Sequence, residues 1–434
     1  MTITHDSRAT STSDPTIRPA PRPDKGDPLR YTSSEFLDLE YEKLWSHVWQ
    51  LACLTAEVAE VGDHVVYEIG RKSVLVVREG PDSLRAYHNV CQHRARKLKL
   101  GPGHGHALRC PYHGWTWNLD GTLREIPERE TFCELRDEDH RLREVRLETW
   151  GPWVFVNLSP AAPPLAEALA DVIPVLEPYR LHRQHKWSSR TVRVRTNWKN
   201  SLDAFMEAYH GRSLHPETAS FINYKGYPID ILGDHSALIV PFGVPDELSG
   251  TGVDWDEVLD SMEHSLGSFG EDQFLPMIDQ LRSLEPAAGV TLDQVLLPRL
   301  REQFTAAGMD MSGLTDNELL DDRQLLLFPN VGLNLYGFGY WLYRIMPDPT
   351  DPDWCHWDLW FFHRVPDGAE IPPPVPNRMV EPGERCGSVL DQDFENLPHQ
   401  QDGMKTGECP GLTYSSLEAR IVHFHDVLDR YIQA

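Results

Sequence analysis

The chain has 434 residues, 66 of them acidic and 41 basic, for a net charge of −25 at pH 7. That balance argues against a nucleic-acid partner, which needs a basic face, and the length exceeds what a lone electron-carrying module requires. No apolar run reaches membrane-spanning length. Seven cysteines without a paired framework point to a reducing cytoplasm.

Residues 1–28 are rich in Thr, Ser, Arg and Pro and lack the apolar stretch of a secretory signal, so they read as a disordered tail. Thr32-Ser33-Ser34-Glu35 opens a capped helix running to about His47. Short strands follow at His64–Ile69, Ser73–Arg78 and Leu84–Asn89. Trp115–Leu119 and Thr122–Ile126 flank the hairpin signal Asp120-Gly121, and Trp150–Asn157 closes a small all-β domain over residues 48–160.

Inside that domain lie two mixed clips, Cys91-x-His93 and Cys110-x2-His113. Structural zinc sites usually pair like with like, as C-x2-4-C and H-x3-5-H. One Cys and one His per clip is the requirement of a Rieske [2Fe–2S] cluster, whose thiolates hold one iron and whose imidazoles hold the other. Gly101, Gly103, Gly105, Gly114 and Gly121 let backbone N–H groups approach the sulfurs, and Trp115 and Trp117 are placed to exclude water.

Pro160–Pro164 marks a seam, with a second domain over 161–434 to which the helix of 29–47 also belongs. A helix is expected from Leu165 to about Pro178, a strand at Ser188–Thr196 and a helix at Asn197–Gly211. His210 and His215 stand five apart, which a regular helix would not put on one face; Gly211 can end or distort it so that both rings turn to one point. Two imidazoles and a carboxylate on one triangle hold non-haem Fe(II) with positions left open. Leu325–Phe328, Gly332–Met346 and Trp354–Val365 read as long antiparallel strands, Ile371–Pro376 as loop, and Asp391–Met404 and Ser415–Ile432 as helices.

Residues 30–434 resemble the catalytic α subunit of Rieske non-haem iron oxygenases, the ring-hydroxylating oxygenases. The likeness rests on Tyr87-His88-Asn89-Val90-Cys91-Gln92-His93-Arg94, on Cys110-Pro111-Tyr112-His113-Gly114-Trp115, and on Asn197-Trp198-Lys199 with Glu207-x-Tyr209-His210 and His215. The resemblance implies an α+β chain: a Rieske domain plus a helix-grip-like domain with a large antiparallel sheet wrapped by helices. It implies His210, His215 and Asp393 as ligands of mononuclear Fe(II), with Asp391 and Glu395 as competitors for the third place. It implies Glu207 as a bridge between an iron histidine of one subunit and a cluster histidine, His113, of the next. Two departures stand out: Ala95 where many relatives have Gly, and Asp203-Ala204 where many have Glu-Asn.

The implied reaction uses O2 and two external electrons to hydroxylate an aromatic or bulky hydrophobic compound, by cis-dihydroxylation, with monooxygenation or demethylation as the alternative. A non-catalytic electron carrier is the remote alternative. No dinucleotide fingerprint is present, so a separate NAD(P)H-dependent reductase, with or without a ferredoxin, is expected. Arg94, Arg96, Lys97, Lys99 and Arg109 form a basic patch for docking it. The resemblance also implies a homotrimer, alone or as α3β3. Substrate contacts are expected from Leu202, Phe205 and Met206 on the iron helix and from Phe328, Asn330, Asn334, Tyr336, Phe338 and Trp341 on the sheet.

Overall fold

A computed structural model describes residues 26–225, 227–246, 254–266, 278–284 and 290–433; the tail expected over residues 1–28 lies outside them up to residue 25. Ten strands make the first half: β1 (Gln50–Leu54), β2 (Asp63–Ile69), β3 (Lys72–Gly80), β4 (Ser83–His88), β5 (Gly103–His104), β6 (Leu108–Arg109), β7 (Thr116–Trp117), β8 (Leu123–Glu125), β9 (Glu144–Trp150) and β10 (Trp153–Asn157). They form an antiparallel sheet in the order β1-β10-β9-β4-β3-β2-β5 and a small one, β6-β7-β8. The Asp120-Gly121 turn joins β7 to β8, with Gly121 at φ +78°, where a side chain would be strained.

The second half is built on one eight-stranded sheet. Its members are β11 (Gln184–Val194), β12 (Ile229–Leu232), β13 (His235–Val240), β14 (Asp322–Leu327), β15 (Val331–Tyr336), β16 (Gly339–Pro347), β17 (Cys355–Arg364) and β18 (Arg378–Met379). They run in the order β12-β13-β14-β15-β16-β17-β11-β18, with only the β11/β18 pair parallel. Side chains alternate between two faces, and both faces are buried. Trp341, Tyr343 and Ile345 enter one core while Tyr340 and Leu342 enter the other; along β17, Trp357, Leu359 and Phe361 alternate likewise with Trp360 and Phe362. Burial on both sides explains why these strands read as nearly continuous apolar runs.

Several sequence expectations are corrected. Gly332–Met346 is two strands, β15 and β16, joined by the two-residue turn Gly337-Phe338; a Cβ on Gly337 would lie 2.5 Å from Leu319, so glycine is needed for close packing. The helix expected over 165–178 is broken into Leu165–Ala168 and Ile173–Leu176, the second with proline in its first turn. The helix expected over 197–211 stops at Ala204. Strands β12 and β13, and the helices Trp255–Leu266 and Leu292–Ala306, had no sequence assignment; Leu259, Met262, Leu296, Leu300 and Leu319 make a third core there.

The helix Ser34–Lys43, capped by Ser33, joins the two halves. Its Glu40 forms an ion pair with Lys199, Oε1 to Nζ 2.6 Å, and accepts from Trp198 Nε1 at 2.9 Å, both charged side chains being at most 1 % exposed. Trp45 packs on Trp198 with ring centroids 5.1 Å apart. From β16, Arg344 donates to the Leu51 and Ala52 carbonyls of β1 while pairing with Asp358 on β17. The segment leading to His210 is thereby clamped between both halves.

A buried ion pair is costly to break one partner at a time. Lys199→Met should lower stability by about 3–5 kcal/mol, read as the urea midpoint, and adding Glu40→Leu should restore much of it. A single variant as stable as the parent would show that the pair does not hold this clamp.

Candidate metal centres

Each Cys/His clip is a tight knuckle, and the two are built alike. The Ala95 N–H donates to the Cys91 carbonyl and the Cys91 N–H to the Arg96 carbonyl; in the other, Gly114 N–H donates to Cys110 and Cys110 N–H to Trp115. The corresponding residues Ala95 and Gly114 both have left-handed backbones, φ +59° and +77°. Both cysteines are buried, and the two thiols are in side-chain contact. The His93 and Arg94 N–H groups point at the Cys91 sulfur. His93 and His113 lie with ring centroids 4.7 Å apart, and Trp115 stacks on His93 at 5.0 Å. Trp117 lies beneath, donating to the His140 carbonyl.

His93 Nδ1 is buried with no hydrogen-bond partner among the described residues. Desolvation, then the neighbouring His113 and Arg94, hold that ring below the usual histidine range. A neutral imidazole with a free buried nitrogen is what a metal ligand must be. Two thiols and two imidazoles at one tip therefore match a [2Fe–2S] cluster.

The second centre starts where the helix Trp198–Ala204 ends. The chain unwinds over 205–210 and restarts as the short helix Gly211–Leu214, which brings both rings to one point. Gly211 opens a helix rather than ending one; its glycine is required because a Cβ would lie 2.3 Å from the Tyr224 ring. His210 Nδ1–H donates to Glu207 Oε1 at 2.6 Å, and Glu207 Oε2 also takes the His210 backbone N–H. His215 Nδ1–H donates to Gln392 Oε1 at 2.6 Å, and the amide is oriented by Gln392 Nε2 donating to Glu217. A carboxylate can only accept, so these contacts fix both tautomers and leave the Nε2 lone pairs free.

Those lone pairs meet Asp393. One ligand atom from each of His210, His215 and Asp393 lies within 4.8 Å of the others. Asp393 Oδ1 is 3.2 Å from His215 Nε2 and 3.7 Å from His210 Nε2. Yet His215 Nε2 is buried without a hydrogen bond, as expected of a nitrogen aimed at a shared central point. Burial pushes His210 down, but the bond to Glu207 and the charges of Glu207 and Asp393 prevail and take it up to about 9. The space between the three groups thus favours a positive charge. The competing acids point elsewhere: Asp391 takes the Cys386 N–H and pairs with Arg385, and Glu395 is exposed.

A cavity of about 120 Å³ opens on this triad, walled by Phe205, Phe221, Phe242, Trp341 and Tyr343 among others. Of the residues expected at the substrate, Phe205, Asn334, Tyr336 and Trp341 line it. Leu202, Met206 and Phe328 do not: they pack in the core, Phe328 just after β14 against Phe424 and Tyr431. Asn330 is buried, donating to the Ile345 carbonyl. Phe338 faces a neighbouring cavity.

The sequence reading missed Gln392, and it missed Asp322 and Gln324, whose alternation with Leu325 and Leu327 on β14 was the available signal. Asp322 lies on the cavity wall, accepting from Gln324 and from both approaches of Asn334 Nδ2 at 2.8 and 2.9 Å. Desolvation raises its pKa against those bonds.

The basic patch is partly neutralised. Lys97 pairs with Glu68 at 2.9 Å and Arg94 lies over the Tyr112 ring, while Arg109 is exposed. No described helix is long and apolar enough to cross a membrane.

Residues 48–146 match the Rieske [2Fe-2S] domain family, and residues 178–434 match the ring hydroxylating alpha subunit (catalytic domain) family. The chain is 32% identical over 200 residues to the carnitine monooxygenase oxygenase subunit of Escherichia coli K12, covering 45% of this chain and 54% of that one. It is 29% identical over 188 residues to the glycine betaine monooxygenase oxygenase subunit of Pseudomonas aeruginosa, covering 43% and 44%. The chain thus spans about half the length of the curated relatives it matches. Among solved structures, a quaternary ammonium Rieske monooxygenase bound to L-carnitine superposes with TM-score 0.64 at 17% identity over 94% of this chain and 95% of that one. Naphthalene 1,2-dioxygenase from Rhodococcus sp. gives 0.62 at 18% identity over 93% and 94%.

Removing an outer partner of a metal-bound histidine typically costs 10–100-fold in affinity. Gln392→Leu should drop iron from about three per chain toward about two with sulfide unchanged at about two, measured by metal and acid-labile sulfide analysis; unchanged iron would refute the role of this amide. Ala95→Gly should relieve the left-handed backbone and stabilise the clip by about 0.5–1 kcal/mol, seen as a raised midpoint of thermal loss of the cluster's visible absorbance. A lowered midpoint would contradict this.

Proposed function

Because the chain belongs to the ring-hydroxylating α-subunit family of Rieske oxygenases, we propose that it is a monooxygenase whose substrate carries a cationic ammonium group. Cys91, His93, Cys110 and His113 hold the cluster; His210, His215 and Asp393 hold the iron; Glu207 and Gln392 orient its imidazoles. Residues 48–160 form the Rieske domain, and residues 29–47 join 161–434 in the catalytic domain. Bound metals supply electron storage at the first centre and O2 activation at the second.

The observation that carries the substrate reading is Asp322. Desolvation of this carboxylate outweighs its donors and the distant charge of Arg420, so a positive charge in the cavity beside it is favoured. Tyr336, Trp341, Tyr343 and Phe205 line the same cavity and offer ring faces to a cation. An ammonium group here keeps Asp322 ionised and fixes which carbon faces the triad. The named relatives that act on carnitine and glycine betaine support this choice. The cis-dihydroxylation of a neutral aromatic expected from the sequence is less well supported, since such a ring would bring Asp322 no charge beyond that of the Arg420 guanidinium already near it.

Electrons come from a separate reductase. Glu207 spends one oxygen on each His210 N–H, and its remaining lone pairs can still accept from a second imidazole. His210 is 28% exposed at its side chain and Tyr209 is exposed beside it, so a neighbouring subunit's cluster edge has access. A homotrimer that brings the exposed His113 of one copy to Glu207 of the next completes the electron route.

With a surrogate reductase and ¹⁸O2, products should arise from a quaternary ammonium panel and carry one labelled oxygen. Two labelled oxygens in an aromatic diol would overturn the reading. Asp322→Asn should raise KM for the cationic substrate about tenfold or more while iron content stays at the parental level; an unchanged KM would remove Asp322 from recognition.

A further inference from the structure

Next to the iron cavity lies a second one, of about 360 Å³. Sites for small molecules commonly span about 300–1,000 Å³, so this space is large enough to be one. The two cavities share Phe242, Tyr336 and Trp341 as a common wall. From that wall an aromatic row leads away from the triad. Trp341 packs on Tyr336 with centroids 4.9 Å apart, Tyr336 stacks on Phe338 at 5.2 Å, and Phe338 stacks on Phe304 at 6.2 Å. Leu296, Leu300 and Met309 complete an apolar lining.

One charged group interrupts that lining. Arg364, at the end of β17, is 2% exposed and lines the cavity. Its Nη2 donates to the Asp310 carbonyl at 2.6 Å and its Nη1 reaches only the Met311 sulfur at 3.1 Å. Its Nε is buried without a hydrogen-bond partner among the described residues. The nearest acid, Asp367, stands 3.9 Å from Nη2 and is engaged by Arg180 at 3.2 Å. Burial, together with Arg180 and Arg183, disfavours the charge on Arg364, while Asp367 and Asp310 favour it. A buried guanidinium whose Nε–H has no partner among the described residues and whose nearest acid is 3.9 Å away favours an anion, and the planar fork suits a carboxylate.

We infer that this second cavity is the distal half of the substrate site, and that it takes an apolar chain ending in a carboxylate held by Arg364. The substrate is then elongated and zwitterionic: its ammonium end lies by Asp322 and the iron triad, its chain runs along the aromatic row, and its acid end reaches Arg364. The inference rests on the oxygenase reading for the identity of the first cavity, but the distal binding step involves no turnover and is measured apart from it.

The test is calorimetric binding to the iron-loaded full chain, with decanoate and decanol as probes of equal chain length. Decanoate should bind about tenfold tighter than decanol or better, the margin of a charge-assisted hydrogen bond. Arg364→Met should bring decanoate to the level of decanol and leave decanol unchanged. Phe304→Trp, which fills the cavity from its apolar wall, should weaken both probes. Equal affinities of the two probes for the parent chain would overturn the inference without any variant, as would tight decanoate binding that survives either substitution. Failure of the oxygenase reading would appear instead as absent label in the ¹⁸O2 experiment with decanoate binding intact.

Discussion

The centre of this molecule depends on two short hydrogen bonds made by the far nitrogens of His210 and His215. Each ring gives its Nδ1–H to a fixed oxygen, Glu207 in one case and Gln392 in the other. Only then do both Nε2 lone pairs face Asp393, in an arrangement that would suit a two-histidine, one-carboxylate site for iron. A ring free to flip would present N–H to the same point and repel a cation.

The larger architecture serves that arrangement. Glu207 and His210 stand on unwound chain, which by itself would not hold an imidazole in place. The helix before it is pinned by the buried Glu40–Lys199 pair, and the opposing helix Ser388–Lys405 brings Gln392 and Asp393 in together. Adjacent residues on that helix thus supply an outer partner and a ligand. The cluster end follows a different plan, two similar knuckles each turned by a left-handed residue, rigid because their backbone bonds close on themselves.

The sheet adds the chemistry of recognition. Because both faces of β14–β17 are buried, the polar residues among them are exceptions that need partners. Asp322 finds donors in Gln324 and Asn334 and the through-space charge of Arg420, and Arg364 finds a carbonyl, with Asp367 3.9 Å away. Two charges of opposite sign, one on each of two adjoining cavities, are the basis of the two-ended ligand we propose.

The Cys91/His93 and Cys110/His113 clips were legible in the sequence because each is a local feature: ligand type and spacing lie within four residues, and the backbone of a tight turn follows from them. His210 and His215 were legible for the same reason, though the helix expected to carry them is not continuous. Asp393 was selected over Asp391 and Glu395 by resemblance, and the fold turns Asp391 to the Cys386 N–H and Arg385 and leaves Glu395 exposed. Gln392 and Arg364 were invisible, and Asp322 showed only in its alternation with the leucines of β14. Gln392 meets His215 across 177 residues of chain, Asp322 becomes a cavity wall through cross-strand register, and Arg364 lacks a close acid because of what packs around it. Such properties belong to non-local contacts and to the dielectric they create. Sequence alone determined which metals this chain is built to hold; only the tertiary structure decided which side chains orient the ring nitrogens and which charges line the cavities beside them, because both depend on contacts distant in the chain.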